Sequence, residues 1–166
     1  MRYALKPLDD SYRQQCRAIF NEIVDEGQAF PWEQPLDEAA FDKLYPPHES
    51  VWCAVDERDE VLGFVHVHPN GIGRCAHVAN CGYSVRTDAR GQGVGRLLVE
   101  KSLEVARAEG YRGIQFNAVV ATNAAAIALY RSFDFAIVGT IPGGFRIDDE
   151  AGESRFVDRH IMFRSL

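Results

Sequence analysis

The chain of 166 residues predicts an α/β fold, one mixed sheet with helices on both faces. Three observations point there. Apolar runs rich in β-branched and aromatic residues, bounded by turn residues, fill residues 51–86 and read as strands. Apolar runs and amphipathic stretches then alternate as strand, helix, strand, helix. Two last apolar runs close the chain as a hairpin. With 46% hydrophobic residues, one domain spanning residues 1–166 buries a full core without metal or disulfide staples.

Each element has a local reason. YALKPL predicts a first strand. Asp9, Asp10 or Ser11 caps a helix that runs to about Glu26 and stops at Gly27. FPWEQP is a proline-punctuated loop. A short helix follows from about Asp37 to Leu44, before PPHES breaks the chain. VWCAVDERDEVLGFVHVH reads as two strands around the charged turn DERDE, and HVANCGYSVR as a further strand. A helix runs from about Val94 to Glu109, stopped by Gly110. GIQFNAVV is a strand. TNAAAIALYRSF is a short helix capped by Thr122 or Asn123. FAIVGTI and RFVDRHIMF are strands joined by a polar turn near DDEAGE.

Charge and cysteine usage narrow the function. The net charge is −6, which argues against a general nucleic-acid binder with its basic face. Cys16, Cys53, Cys75 and Cys81 form no C-x-x-C pair, so free thiols in a reducing compartment are expected rather than a zinc site. The start, MRYALKPLDD, reads as neither a signal peptide nor a membrane span, and the expected location is the cytoplasm. His66-Val67-His68 puts two imidazoles on one strand face without a clear third ligand, so no metal is expected.

The stretch RTDARGQGVGRLL carries the chemistry. It joins a strand ending near Arg86 to a helix starting near Val94. The first amides of a helix have no partner within it, and the macrodipole adds positive potential there. Glycines let the backbone curl around a bulky anion, and Arg90 and Arg96 add charge. This is a phosphate cradle. No lysine follows, which excludes a P-loop, and the third glycine comes one residue early for the dinucleotide fingerprint. The plainer alternative, a flexible capped loop, does not account for Gly95 inside the helix start.

The spacing Arg90-x-x-Gly93-x-Gly95 resembles the [Q/R]-x-x-G-x-[G/A] pyrophosphate loop of the GCN5-related N-acetyltransferase (GNAT) superfamily. TNAAAIALYRSFDF resembles that family's N-x-x-(A)-x-x-L-Y-x-x-x-G-F element, with Asp134 where glycine is usual. The resemblance implies a mostly antiparallel sheet with two splayed parallel strands, and acetyl-CoA as donor to an amine. It places the pyrophosphate on the amides of Arg90, Gly91, Gln92, Gly93, Val94, Gly95 and Arg96. The pantetheine arm would run between 79–85 and 115–119, on the backbone of Tyr83, Ser84 and Val85. A backbone N–H of the same strand would polarise the thioester carbonyl.

Asn123, Ile127 and Tyr130 are spaced i, i+4, i+7 and share one helix face. If that face looks at the cofactor, Tyr130 protonates the departing thiolate and Asn123 meets the pantetheine; otherwise Tyr130 is a core tyrosine. The candidate bases are Glu22 and Asp25 on the first helix, and His66, His68 and His77 on strands. Asn80 and Asn117 interrupt apolar strands, either as braced structural amides or as an acceptor pocket. VANCGYSV, QFNAVVATN and VGTIPGGF are similar to fungal enzymes that acetylate azetidine-2-carboxylate and related proline analogues. That likeness implies that Asn80 and Asn117 grip the carboxylate of a small acceptor. The expected partner is a small-molecule amine, an amino acid or analogue among the options, with Glu22 beside it; a homodimer is compatible. The competing readings are a protein N-terminal or lysine acetyltransferase, and an acyl-CoA-binding module without turnover.

Overall fold

The structure is a computed structural model that describes residues 3–47, 49–149 and 151–166. Of the expected PPHES break and DDEAGE turn, His48 and Glu150 lie outside the described residues. In chain order the elements are β1 (Ala4–Pro7), α1 (Asp10–Glu26), α2 (Glu38–Leu44), β2 (Ser50–Val55), β3 (Val61–Pro69), β4 (Val78–Val85), α3 (Val94–Ala108), β5 (Gly113–Val120), α4 (Ala124–Arg131), β6 (Ala136–Asp148) and β7 (Ser154–Ser165).

The helix ends follow from their caps. Asp9 accepts from the Ser11 amide at 2.8 Å, and Gly27, at φ 64°, returns its N–H to the Val24 carbonyl at 3.0 Å. Asp37 accepts from the Ala40 amide at 2.8 Å, and Asn123 from Ala126 at 3.1 Å. Asp134, at φ 63°, takes the left-handed conformation that glycine favours, which fits the family's usual glycine there.

The strands form one sheet in the order β1-β2-β3-β4-β5-β7-β6. Neighbours are antiparallel except β4 and β5, which run parallel. One face packs α1 and α2 over Cys53, Val55 and Phe64, with Phe20, Phe41 and Tyr45 in that layer. The other packs α3 against Val65, Val67, Ile114, Phe116 and Met162 through Leu98 and Val99, with α4 beside it. Each such apolar side chain contributes about 1.5–3 kcal/mol on burial. The last hairpin departs from expectation. β6 does not stop at Ile141 but continues to Asp148 through a bulge at Pro142–Gly144. The Gly143 amide, turned out of the ladder, donates to Asp158 Oδ1 at 3.0 Å.

The register of the parallel pair positions the site. β4 and β5 pair only at Val78↔Gly113 and Ala79↔Ile114. Beyond that they separate, and β5 bulges against β7 between Phe116 and Val119. β4 itself is held to β3 along its length, from Pro69↔Ala79 to Gly63↔Val85. That contact has no spare room, because a Cβ added at Gly63 would lie 2.6 Å from the Ser84 carbonyl oxygen. Gly63→Ala is therefore expected to destabilise the protein by about 1–3 kcal/mol. Urea unfolding that shows no loss would mean that β4 moves freely, against the tight register described.

Candidate active site

The expected cradle falls on the loop between β4 and α3. Gly91 and Gly93 have φ of 72° and 90°. A Cβ built at either position meets nothing within 4 Å, so these glycines are required by their backbone conformation and not by close packing. The first bond within α3 runs from Leu97 N–H to Gly93 O at 3.1 Å. The amides of Val94, Gly95 and Arg96 therefore lack a partner within the helix, and no side chain caps them. Gly95 has a different reason to be glycine. A Cβ there would lie 3.3 Å from Leu129, so Gly95 lets α3 and α4 approach closely.

The loop arginines are already engaged. Arg90 donates to Glu26 on α1 at 2.9 Å, and Arg96 lies over Phe133, 4.9 Å from the ring centroid, while donating to Ser132 at 3.2 Å. Gln92 Nε2 donates to the Asp88 carbonyl at 2.6 Å. These side chains hold the loop in shape. The backbone N–H groups are what it offers to an anion.

Tyr130 stands over the gap between β4 and β5. Its ring centroid is 4.5 Å from Phe116 of β5 and 5.7 Å from Tyr83 of β4. Among the described residues its hydroxyl has no hydrogen-bond partner. Burial, then the Cys81 thiol, holds its pKa well above the ordinary tyrosine value, so it carries its proton at neutral pH. Tyr83 is committed to structure, its hydroxyl 2.7 Å from Ser102 Oγ on α3. Asn123 is committed in part, its carbonyl oxygen capping α4.

The opposite face of the gap is polar. His68 pairs across β3–β4 with Asn80, so the two share a face. Asn117 lies in the β5 bulge, donating to Asn70 Oδ1 at 2.6 Å and accepting from Gln115 Nε2 at 2.8 Å. The expectation of buried amides needs correction. Asn117 is exposed and Asn80 half-buried.

Comparisons with known proteins agree with this geometry. The model of the acetyltransferase (GNAT) family matches residues 14–135. The chain belongs to the GNAT family. It is 34% identical over 131 residues to the L-methionine sulfoximine/L-methionine sulfone acetyltransferase of Pseudomonas aeruginosa, covering 75% of each chain. It is 32% identical over 116 residues to the N-acetyltransferase aca1 of Schizosaccharomyces pombe, covering 70% of this chain but 54% of that one. The chain thus spans about half the length of that relative. A GCN5-related N-acetyltransferase structure from Kribbella flavida is 34% identical, with a TM-score of 0.91 over 99% of this chain and 98% of the other.

Within this GNAT fold the base candidates separate. Glu22 accepts from the Thr87 amide at 3.3 Å, at the loop end of β4 and seven residues along the chain from Asn80. Asp25 is exposed, and His77 is exposed and precedes β4 rather than lying in it. His66 and His68 stack at 4.5 Å between centroids on the Asn80 face. His66 Nε2 hydrogen-bonds Glu49, a residue that its sequence context did not single out because the two are joined only by strand pairing. Burial first, then His68, pushes the His66 pKa down to about 4 against the pull of Glu49. Among the described residues no group of three metal-ligating side chains converges.

Two expectations follow. Gly93→Asp would place a strained, negatively charged side chain in the cradle and lower CoA affinity by about 10-fold or more. Calorimetric titration of a folded variant checks it, and unchanged affinity would remove the loop from the binding site. The second concerns pH. His66 is held below its unfolded value of 6.5, so the unfolded chain binds its proton first. The stability that neutral His66 contributes is complete above about pH 6.5 and is lost as pH falls toward about 4. His66→Gln should show a shallower loss across that window in urea unfolding. An equally steep loss would assign the slope to other groups.

Proposed function

We propose that the protein transfers the acetyl group of acetyl-CoA directly to the amine of a small molecule, acting as one domain over residues 1–166. The observation that carries this reading is the gap between β4 and β5 with the unpartnered Tyr130 hydroxyl above it. The loop amides from Gly91 to Arg96 would hold the pyrophosphate, and the unpaired edge of β4 would hold the pantetheine through Tyr83, Ser84 and Val85. Bound there, acetyl-CoA supplies the acetyl group as a thioester. A β4 amide facing the gap would donate to the carbonyl oxygen as charge builds on it.

The transfer balances without a covalent enzyme intermediate. The amine nitrogen bonds to the carbonyl carbon, the carbon–sulfur bond breaks, the amine proton leaves through water toward His68, and Tyr130 donates to the thiolate. Cys81, the thiol beside the gap, does not compete as a nucleophile, because burial pushes its pKa up to about 12. Asn80 and Asn117 would hold the acceptor.

The loop at residues 27–37 supports a small acceptor over a protein one. It leaves α1, where Asn21 holds Leu36 by two hydrogen bonds of 2.8 and 2.9 Å. It reaches the far edge of the sheet, where Glu33 pairs with Arg146 of β6 at 2.6 Å. A loop fixed to α1 at Asn21 and touching β6 through Glu33 would leave less room beside that face for an extended peptide. The Pseudomonas relative's amino acid sulfone is the first acceptor to test. The unpaired thiols support residence in the cytoplasm, and no helix of the described residues is long and apolar enough to cross a membrane.

The decisive assay is CoA release from acetyl-CoA with L-methionine sulfone and a panel of amines. Binding of CoA without turnover of any amine would leave an acyl-CoA-binding module. Tyr130→Phe keeps the ring packing and removes the donor. Its single-turnover rate should fall roughly 10- to 1,000-fold with little change in the KM for acetyl-CoA. A rate within about twofold of wild type would return Tyr130 to a packing role.

A further inference from the structure

Arg159 carries a charge that the fold leaves unanswered. It lies half-buried on β7, and its Nε is buried with no hydrogen-bond partner. Among the described residues no carboxylate pairs with it, although the chain is acidic overall. A buried donor left unpaired is costly, and more so when it is charged. Folds rarely carry that cost at a position where a glutamine or leucine would serve.

The register shows which way Arg159 faces. His160 pairs with Val119, and Val119 and Met162 belong to the core under α3 and α4. Side chains alternate along a strand, so Arg159 lies on the opposite face, the one shared by Asn80 and Asn117. Its cross-strand partner Val120 is 2% exposed and packs with Phe145 and Ile147, which puts an apolar cluster beside Arg159. Asn117 sits in the bulge across from Ile161, and Arg159 is the next position on that face of β7. The loop from α1 does not supply a counter-ion. Glu33 is taken by Arg146, which also contacts Asp148 at 3.2 Å. Asp158 is on the other face and accepts from Gly143.

We propose that Arg159 is the specificity-determining residue of the acceptor site and that the acceptor is an amine bearing a carboxylate. This rests on the acetyltransferase reading and adds the acceptor's charge class to it. The amine lies at the gap, and the carboxylate extends along β7 to the guanidinium, which takes the role expected of Asn80 and Asn117; those amides would then flank the amine. Arginine presents parallel N–H groups that match the two carboxylate oxygens. Beside the apolar cluster of Val120, Phe145 and Ile147, that pairing is less screened than in open water. An amine without the carboxylate leaves the guanidinium unpaired in the complex, so the site discriminates against it.

The test compares each of two acceptors, L-methionine sulfone and β-alanine, with its own decarboxylated amine. The readout is the ratio of kcat/KM for the carboxylated member to that for the decarboxylated one. Wild type should favour the carboxylate. In Arg159→Gln the ratio should fall roughly 10- to 150-fold, the range for a hydrogen bond to a charged group, while Arg159→Lys keeps part of it. Equal losses for both members of a pair would make Arg159 a structural residue, and an unchanged ratio would also overturn the proposal. Should neither acceptor be turned over, the transferase reading is what has failed. Calorimetric binding of L-methionine sulfone to the CoA-saturated protein then decides on Arg159. Binding by wild type that is lost in folded Arg159→Gln supports the site, and equal or absent binding overturns it.

Discussion

Two parallel strands stop pairing after their second residue, and the site depends on that interruption. β4 and β5 meet at Val78↔Gly113 and Ala79↔Ile114 and then part. Backbone N–H and C=O groups cannot be left unpaired in a protein interior without cost. A sheet that opens at its centre therefore needs something with its own donors and acceptors to complete it. A pantetheine arm, with two amides, is such a group. The opening is stabilised from both sides: β4 is fixed by its ladder to β3 and the tight Gly63 contact, and β5 is drawn away by its bulge against β7.

The gap also connects two faces that the sheet otherwise keeps apart. On one face lie the glycine loop, the N-terminus of α3 and Tyr130 on α4. On the other lie Asn80, His68, Asn117 and Arg159. Donor and acceptor can then occupy opposite sides of the sheet and meet only where the strands part. On the proposed reading, this would keep the anion-binding loop away from the acceptor's own charge. The close approach of α3 and α4 at Gly95 and Leu129 sets Tyr130 over the gap, so a glycine in the phosphate loop also serves the tyrosine's position.

The titratable groups divide along the same line. Tyr130 and Cys81 are held protonated by burial, which makes one a donor and silences the other as a nucleophile. His66 is held neutral and tied to Glu49, leaving the more accessible His68 next to Asn80. On the proposed reading, the Tyr130 donor lies on the thiolate side and His68 on the amine side, an arrangement suited to acyl transfer to an amine.

The sequence by itself determined the helices, because their boundaries rest on local chemistry: Asp9 and Gly27 bound α1, Asp37 and Asn123 start α2 and α4, and Gly93 and Gly110 bracket α3; the extent of β6 beyond Ile141 came from its pairing with β7. The sequence also pointed to the loop before α3 as a candidate anion site, since a site built from backbone amides at a helix start needs only neighbouring residues. Tertiary structure decided everything that depends on which strands are neighbours. The pairing of His66 with Glu49, the exposure of Asn117, the placing of Glu22 at Thr87 away from Asn80, and the unanswered charge of Arg159 all arise between residues distant in the chain. Periodicity along one strand says which residues share a face. It does not say what stands opposite, and a site between strands is made of what stands opposite.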